Sequence, residues 1–105
     1  MSEMSTAVAN KWREAINRRL DVLGITIGQA GERLLSAGGD TSWFRLFMNR
    51  TTDRIDRRDK EDIVLALEPN FRIARGQSHT REILATFSEE QLLNTLLIDC
   101  KLPEY

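Results

Sequence analysis

Apolar residues in this chain recur every three or four positions and nowhere alternate singly with polar ones, a period that admits helices and argues against a sheet. Between Thr6 and Leu23, Val8, Trp12, Ile16 and Leu20 follow at intervals of four, Leu23 completes the stripe, and Lys11, Arg13, Glu14 and Arg18 take other faces. A helix patterned this way has one face to bury. Gly24, free to adopt the left-handed backbone of a helix end, closes it. Thr26 and Gln29 make a Thr-x-x-Gln capping pair, so a second helix starts there and runs to about Leu35. Ser36-Ala37-Gly38-Gly39 breaks it, and Asp40 or Thr41 caps a third helix reaching about Asn49.

Arg50 to Ile55 forms a loop, and Asp56 caps a fourth helix that turns Ile63, Val64 and Leu67 inward. Pro69 stops it, because the residue before a proline avoids helical geometry. A connection follows to Gln77, with Phe71 and Ile73 offering apolar contacts, and then a fifth helix from Thr80 to Phe87. Ser88-Glu89-Glu90-Gln91 is a second capping box, opening a last helix that carries Leu92, Leu93, Leu96, Leu97 and Ile98. The expectation is an all-α bundle of four to five helices with a C-terminal helical extension, divided into a main domain at 6–69, a connection at 70–78 and a helical dimerisation segment at 79–102.

At 105 residues the chain is the size of one domain, and 41% hydrophobic with 30% charged residues is enough to fold. No apolar run approaches the roughly 20 residues that span a bilayer, and no basic stretch followed by an apolar one opens the chain, so no membrane partner and a cytoplasmic location are expected. Cys100 is the only cysteine and His79 the only histidine, which excludes a disulfide framework and a thiol–imidazole metal cluster. As a base and a nucleophile these two would need an orienting group within reach, and none stands near either in sequence. No enzyme, cofactor or metal is expected; His79 is read as an exposed residue at a helix start and Cys100 as a small, partly buried one.

The net charge of −1 hides a split. Residues 11–60 hold eleven Lys and Arg against seven acids, a balance of +4, whereas residues 61–105 hold four against eight, a balance of −4. Basic excess in front is where a polyanionic partner would be met.

The third helix lies inside that basic half. At about 100° per residue, Thr41, Ser42, Arg45 and Asn49 fall within roughly a 100° sector, and Trp43, Phe44, Phe47 and Met48 cover roughly 140° opposite. The polar sector holds side chains that read base edges in the major groove: Arg donates to guanine, Asn pairs with adenine, and Ser or Thr serves either. The same sector could equally be the solvated face of an ordinary amphipathic helix. Arg50, Arg54, Arg57, Arg58 and Lys60 flank it as candidate phosphate contacts, or as a charged loop balanced by Asp53, Asp56 and Asp59.

The segment Ile25-Thr26-Ile27-Gly28-Gln29-Ala30-Gly31-Glu32-Arg33-Leu34, followed by Thr41-Ser42-Trp43-Phe44-Arg45-Leu46-Phe47-Met48-Asn49-Arg50, resembles the helix-turn-helix of the lambda-repressor-like family of phage and plasmid transcriptional regulators. The resemblance covers roughly residues 10–68. A hydrophobic residue and Thr precede a Gln-bearing second helix, small residues Ala30 and Gly31 stand where that helix would cross the reading helix, and Asn49-Arg50 partly matches the family's Asn-Gly-like loop. The turn from Ser36 to Gly39 is longer than the family's, and Ile27 or Gly28 stands where a glutamine is usual. The resemblance implies a compact helix-turn-helix fold, Gln29 near phosphate, and a close helix crossing at Gly31. It also implies a homodimeric repressor on a double-stranded DNA operator, relieved by a protein antagonist.

Leu92, Leu93, Leu96 and Leu97 offer more apolar surface than a short helix beside a small domain needs, so they are the expected dimer contacts, unless they complete the monomer core. A different reading keeps the fold and changes the partner: a protein-interaction module, such as an antitoxin or a phage-encoded inhibitor, would present Trp43 or the leucine-rich tail to another protein.

Overall fold

Side-chain caps mark where most of the helices begin. The computed structural model describes residues 5–69 and 78–97, and among these residues every regular element is a helix. They are α1 (Thr6–Leu23), α2 (Ile27–Ser36), α3 (Ser42–Met48), α4 (Arg57–Ala66), α5 (Ser78–Ala85) and α6 (Glu89–Leu97). Ser5 Oγ accepts from the Val8 N–H at 3.2 Å, and Thr26 and Gln29 close a reciprocal box at 3.1 and 2.9 Å. Asp56 with Asp59 and Ser88 with Gln91 do the same for α4 and α6. At α3 the aspartate acts, not Thr41: Asp40 Oδ1 accepts from the Ser42 N–H at 2.9 Å, which lowers the Asp40 pKa. Each cap satisfies an N–H that the first helical turn leaves without a partner.

Three helices end in one device, a left-handed residue followed by paired backbone bonds back into the last turn. Gly24 (φ 68) ends α1 and Gly38 (φ 88) ends α2. Arg50 (φ 67) takes the same place after α3, where its N–H donates to Phe47 O at 3.2 Å and the Thr51 N–H to Leu46 O at 2.8 Å. An L-residue with a Cβ adopts that conformation at a cost of about 1–2 kcal/mol. Gly39, one residue on from Gly38, is constrained by space: a Cβ there would lie 2.8 Å from Leu34 Cδ1 and 3.2 Å from Asp62 Oδ2.

One core joins the six described helices. Trp12, Ile16 and Leu20 of α1 meet Leu34 of α2, Phe44 and Phe47 of α3, Ile63 and Val64 of α4, Leu84 of α5, and Leu92 and Leu96 of α6. α1 lies along α6, and α4 packs against α2, α5 and α6. The C-terminal pair is therefore part of the same core and not an appended extension. The α1 stripe is rotated from its expected position: Val8 is 39% exposed, and Ala9, Ala15, Arg13 and Arg19 are buried beside Trp12 and Ile16. α5 begins and ends two residues earlier than its sequence pattern suggests, and Phe87 lies in the turn beyond it. The connection with Phe71 and Ile73, together with Ile98 and Cys100, lies outside the described residues, as does the side chain of His79.

Arginines from other helices reach the C-terminal ends of four of these helices. Arg13 donates to Phe47 O at the end of α3 (2.6 Å), and Arg33 to Glu68 O just past α4 (2.9 Å). Arg57 donates to Leu84 O (2.9 Å) and Phe87 O (2.6 Å) at the end of α5, and Arg19 to Thr95 O and Leu96 O at the end of α6. The last carbonyls of a helix lack intrahelical donors and carry the negative end of its dipole, so a forked cation satisfies both needs at once. Much of the basic excess of the N-terminal half is spent inside the fold.

Candidate nucleic-acid interface

α3 is short, and its orientation is set by two phenylalanines. Phe44 and Phe47 are fully buried, and Trp43 packs edge-on against Phe44, ring centroids 5.5 Å apart and planes at 79°. That anchoring turns Ser42, Arg45 and Asn49 outward into exposed positions, with Thr41 half-buried at the start. This is the register the helical period predicts. Arg45 forms no hydrogen bond or ion pair among the described residues, so its forked donors are available to acceptors on another molecule.

Asn49 is less available. Its Oδ1 accepts from the Thr51 N–H at 3.0 Å and from the Thr51 hydroxyl, which makes it a turn-former. Pairing with adenine would need that oxygen as an acceptor as well as the amide donors. Ser42 and Thr41 therefore remain with Arg45 as the groups able to meet base edges. Gln29 is exposed, its Oε1 held in the α2 capping box, leaving its amide N–H groups as donors.

The five candidate phosphate cations divide. Arg50 is exposed, its Nη1 3.3 Å from Asn10 Oδ1, and Arg54 is exposed in the following loop. The Arg58 side chain is 60% exposed while its Nε pairs with Asp62 at 3.1 Å. Lys60 is not a surface cation: its side chain is only 5% exposed, its Nζ lies 2.5 Å from Glu89 and it stands 5.8 Å over the Trp12 ring. Arg57 is committed to Glu61, to the α5 carbonyl of Leu84 and to that of Phe87 just past it. Both act in joining α4 to the C-terminal pair, and neither can meet phosphate without breaking that junction.

A residue that the sequence pattern set outside the apolar stripe of α1 holds the site together. Arg13 is buried, stacks 4.5 Å from the Phe47 ring centroid, and besides Phe47 O bonds Thr52 O at 2.7 Å and Asp53 Oδ1 at 2.6 Å. It thereby clamps the C-terminus of α3 to the loop that carries Arg50 and Arg54. The Arg13 hydrogen bond, helped by the Thr6 hydroxyl at 2.9 Å, lowers the pKa of the Asp53 carboxyl. The signal was present in the sequence: Arg13 stands in line with Ala9, Ile16 and Leu20, an arginine inside an apolar stripe.

Between α2 and α3 runs an open groove of about 610 Å³, floored by Phe44 and walled by Ile27, Gly31 and Leu35 on one side and Thr41 and Arg45 on the other. A Cβ on Gly31 would sit 4.0 Å from Phe44 Cδ2, ordinary contact distance, so no close crossing requires glycine there. Ile27 and Leu35 are both exposed large apolar residues.

The C-terminal leucines do not form a free stripe. Leu92 and Leu96 are buried in the core, Leu93 packs against it, and only Leu97 is exposed. The expectation that all four contact a second copy fails for Leu92 and Leu96, which the packing of α6 against α1 and α4 already buries.

Among the described residues no helix is long and apolar enough to cross a membrane. No protein-family model, curated protein or solved structure matches the chain.

Proposed function

We propose that this chain is a sequence-specific DNA-binding regulator that lays α3 in the major groove. The observation carrying this reading is Arg45, exposed and without an intramolecular partner among the described residues, on a helix whose opposite face is locked by Phe44 and Phe47. A guanidinium held on a rigid support can donate both of its arms to guanine. Ser42 and Thr41 extend the same face, and the exposed Arg50, Arg54 and Arg58, with the Gln29 amide, supply donors for phosphates in this reading. The resemblance of residues 25–34 and 41–50 to lambda-repressor-like regulators supports a repressor of phage or plasmid genes. Such a repressor acts as a homodimer on paired half-sites and is relieved by a protein antagonist.

The α2–α3 groove, with exposed Ile27 and Leu35 on its rim, favours a second reading in which the same surface docks a protein. Binding-site selection from random duplex, followed by titration in rising salt, separates the two. A DNA reader selects a sequence and loses affinity steeply with salt as counterions are released. Arg45→Ala is expected to cost about 1–3 kcal/mol on the selected duplex and to relax preference at about one or two base pairs. Arg54→Ala is expected to weaken all duplexes alike and to make the logarithmic salt slope shallower by about one. If the chain selects no sequence and Arg45→Ala changes no duplex affinity, the protein-docking reading replaces this one.

A further inference from the structure

We infer that Leu46 is a base-reading residue that contacts the C5-methyl group of a thymine; this rests on the DNA-binding reading proposed above. α3 has an apolar residue on its outer face. Leu46 is 46% exposed and stands outside the core formed by Phe44 and Phe47. At about 100° per residue it falls roughly 40° from Ser42 and roughly 100° from Arg45, on the edge of the polar sector. Ser42 and Leu46 thus form one row along the helix, and Arg45 and Asn49 the row beside it.

The backbone that carries this side chain is held from behind. Leu46 O accepts from the Thr51 N–H at 2.8 Å and the Thr52 N–H at 3.3 Å, and the next carbonyl, Phe47 O, accepts from Arg13 at 2.6 Å. The turn that carries this side chain is thereby fixed. In the major groove, thymine is the base that offers an apolar group, so an apolar reader beside Arg45 discriminates thymine from the other bases without a hydrogen bond. The pair then specifies a guanine and a thymine at neighbouring base pairs.

The test uses the full chain and the duplex it selects from a random library. Replacing each thymine of that duplex in turn by deoxyuridine removes only the methyl group. The wild-type chain is expected to lose about four-fold in affinity at one thymine of each half-site, the value of one buried methyl. Leu46→Ala and Leu46→Gln, both first shown to unfold at the wild-type temperature, are expected to bind the thymine and uracil duplexes alike while keeping the guanine preference set by Arg45. A wild-type chain indifferent to every such replacement, or variants as sensitive as wild type, would overturn the assignment of Leu46 and leave Arg45 as the reader. A chain that selects no duplex overturns both, and loss of a protein partner on Leu46→Ala would then assign this face to protein docking.

Discussion

α3 and α6 carry similar amphipathic signals, and the fold treats them in opposite ways. Each has an apolar side fit for burial and a sequence that suggests a partner. α6 has Leu92 and Leu96 covered, with α1 along its length and α4 beside it, and Arg19 closes its end. α3 is covered on one side only: Phe44 and Phe47 enter the core, while Ser42, Arg45, Leu46 and Asn49 face out beside an open groove. An apolar excess on a short helix therefore says that something covers it and leaves open whether that is the chain itself or another molecule.

The largest expected effect probes the buried side of this comparison. Leu92→Ala and Leu96→Ala should each cost about 2–5 kcal/mol in urea unfolding, as deletions from a packed core do. Ser42→Ala and Arg45→Ala should stay within about 0.5 kcal/mol of wild type. A stable, folded monomer carrying lysine at position 92 would show that α6 is not core.

Next comes the clamp between the two regions. Arg13→Met breaks the ion pair with Asp53, removes the side-chain donor of Thr52 O and leaves Phe47 O with backbone donors alone, and about 1–3 kcal/mol of stability should go with it. Exposed Arg58, in an i,i+4 pair with a buried Asp62 that keeps Arg81 at 2.7 Å, should cost only about 0.3–0.5 kcal/mol when changed to Ala. Equal losses from the two variants would remove the case for a structural arginine set distinct from a surface one.

Arg50 offers a smaller and opposite effect. Gly24 and Gly38 hold the left-handed position that Arg50 holds after α3. Arg50→Gly should raise stability by up to about 1 kcal/mol by relieving that conformation, while lowering DNA affinity through loss of a cation. Thermal unfolding and duplex titration of this one variant measure the two effects independently. A gain in stability with unchanged affinity would place Arg50 outside the interface.

The smallest effect lies in pH. Burial, with the nearby Asp56 and Asp62 carboxylates, pushes Asp59 up to about 6, against the pull of the Asp56 N–H. The folded chain then holds a proton on Asp59 from about pH 4 to 6 that the unfolded chain has released, so stability should fall as pH rises through that window. Urea midpoints at the two ends of the window should differ in that direction, and Asp59→Asn should flatten the difference. Asp40 and Asp53 act oppositely and lower down: their carboxylates are favoured in the folded chain, and their contribution is lost as pH falls below the usual aspartate range.

What the sequence determined by itself is whatever depends on residues a few positions apart. Thr26 with Gln29, Asp56 with Asp59 and Ser88 with Gln91 set helix starts because each box closes within one turn, and Gly24 sets an end because its backbone needs no distant partner. The outward face of α3 followed in the same way, since its 100° period is local. Only the tertiary structure decided which cations are surface and which are interior. Arg13, Arg19 and Arg57 find their carbonyls 34, 77 and 27 residues away, and Lys60 finds Glu89 across 29. Arg57 and Arg58 are neighbours in sequence and alike in chemistry, and one caps α5 while the other stands at the surface. Charge and propensity cannot tell them apart. The helix ends that claim a guanidinium are brought beside it only when the apolar faces of α1, α4, α5 and α6 close on one another, and that closure is a property of the whole chain.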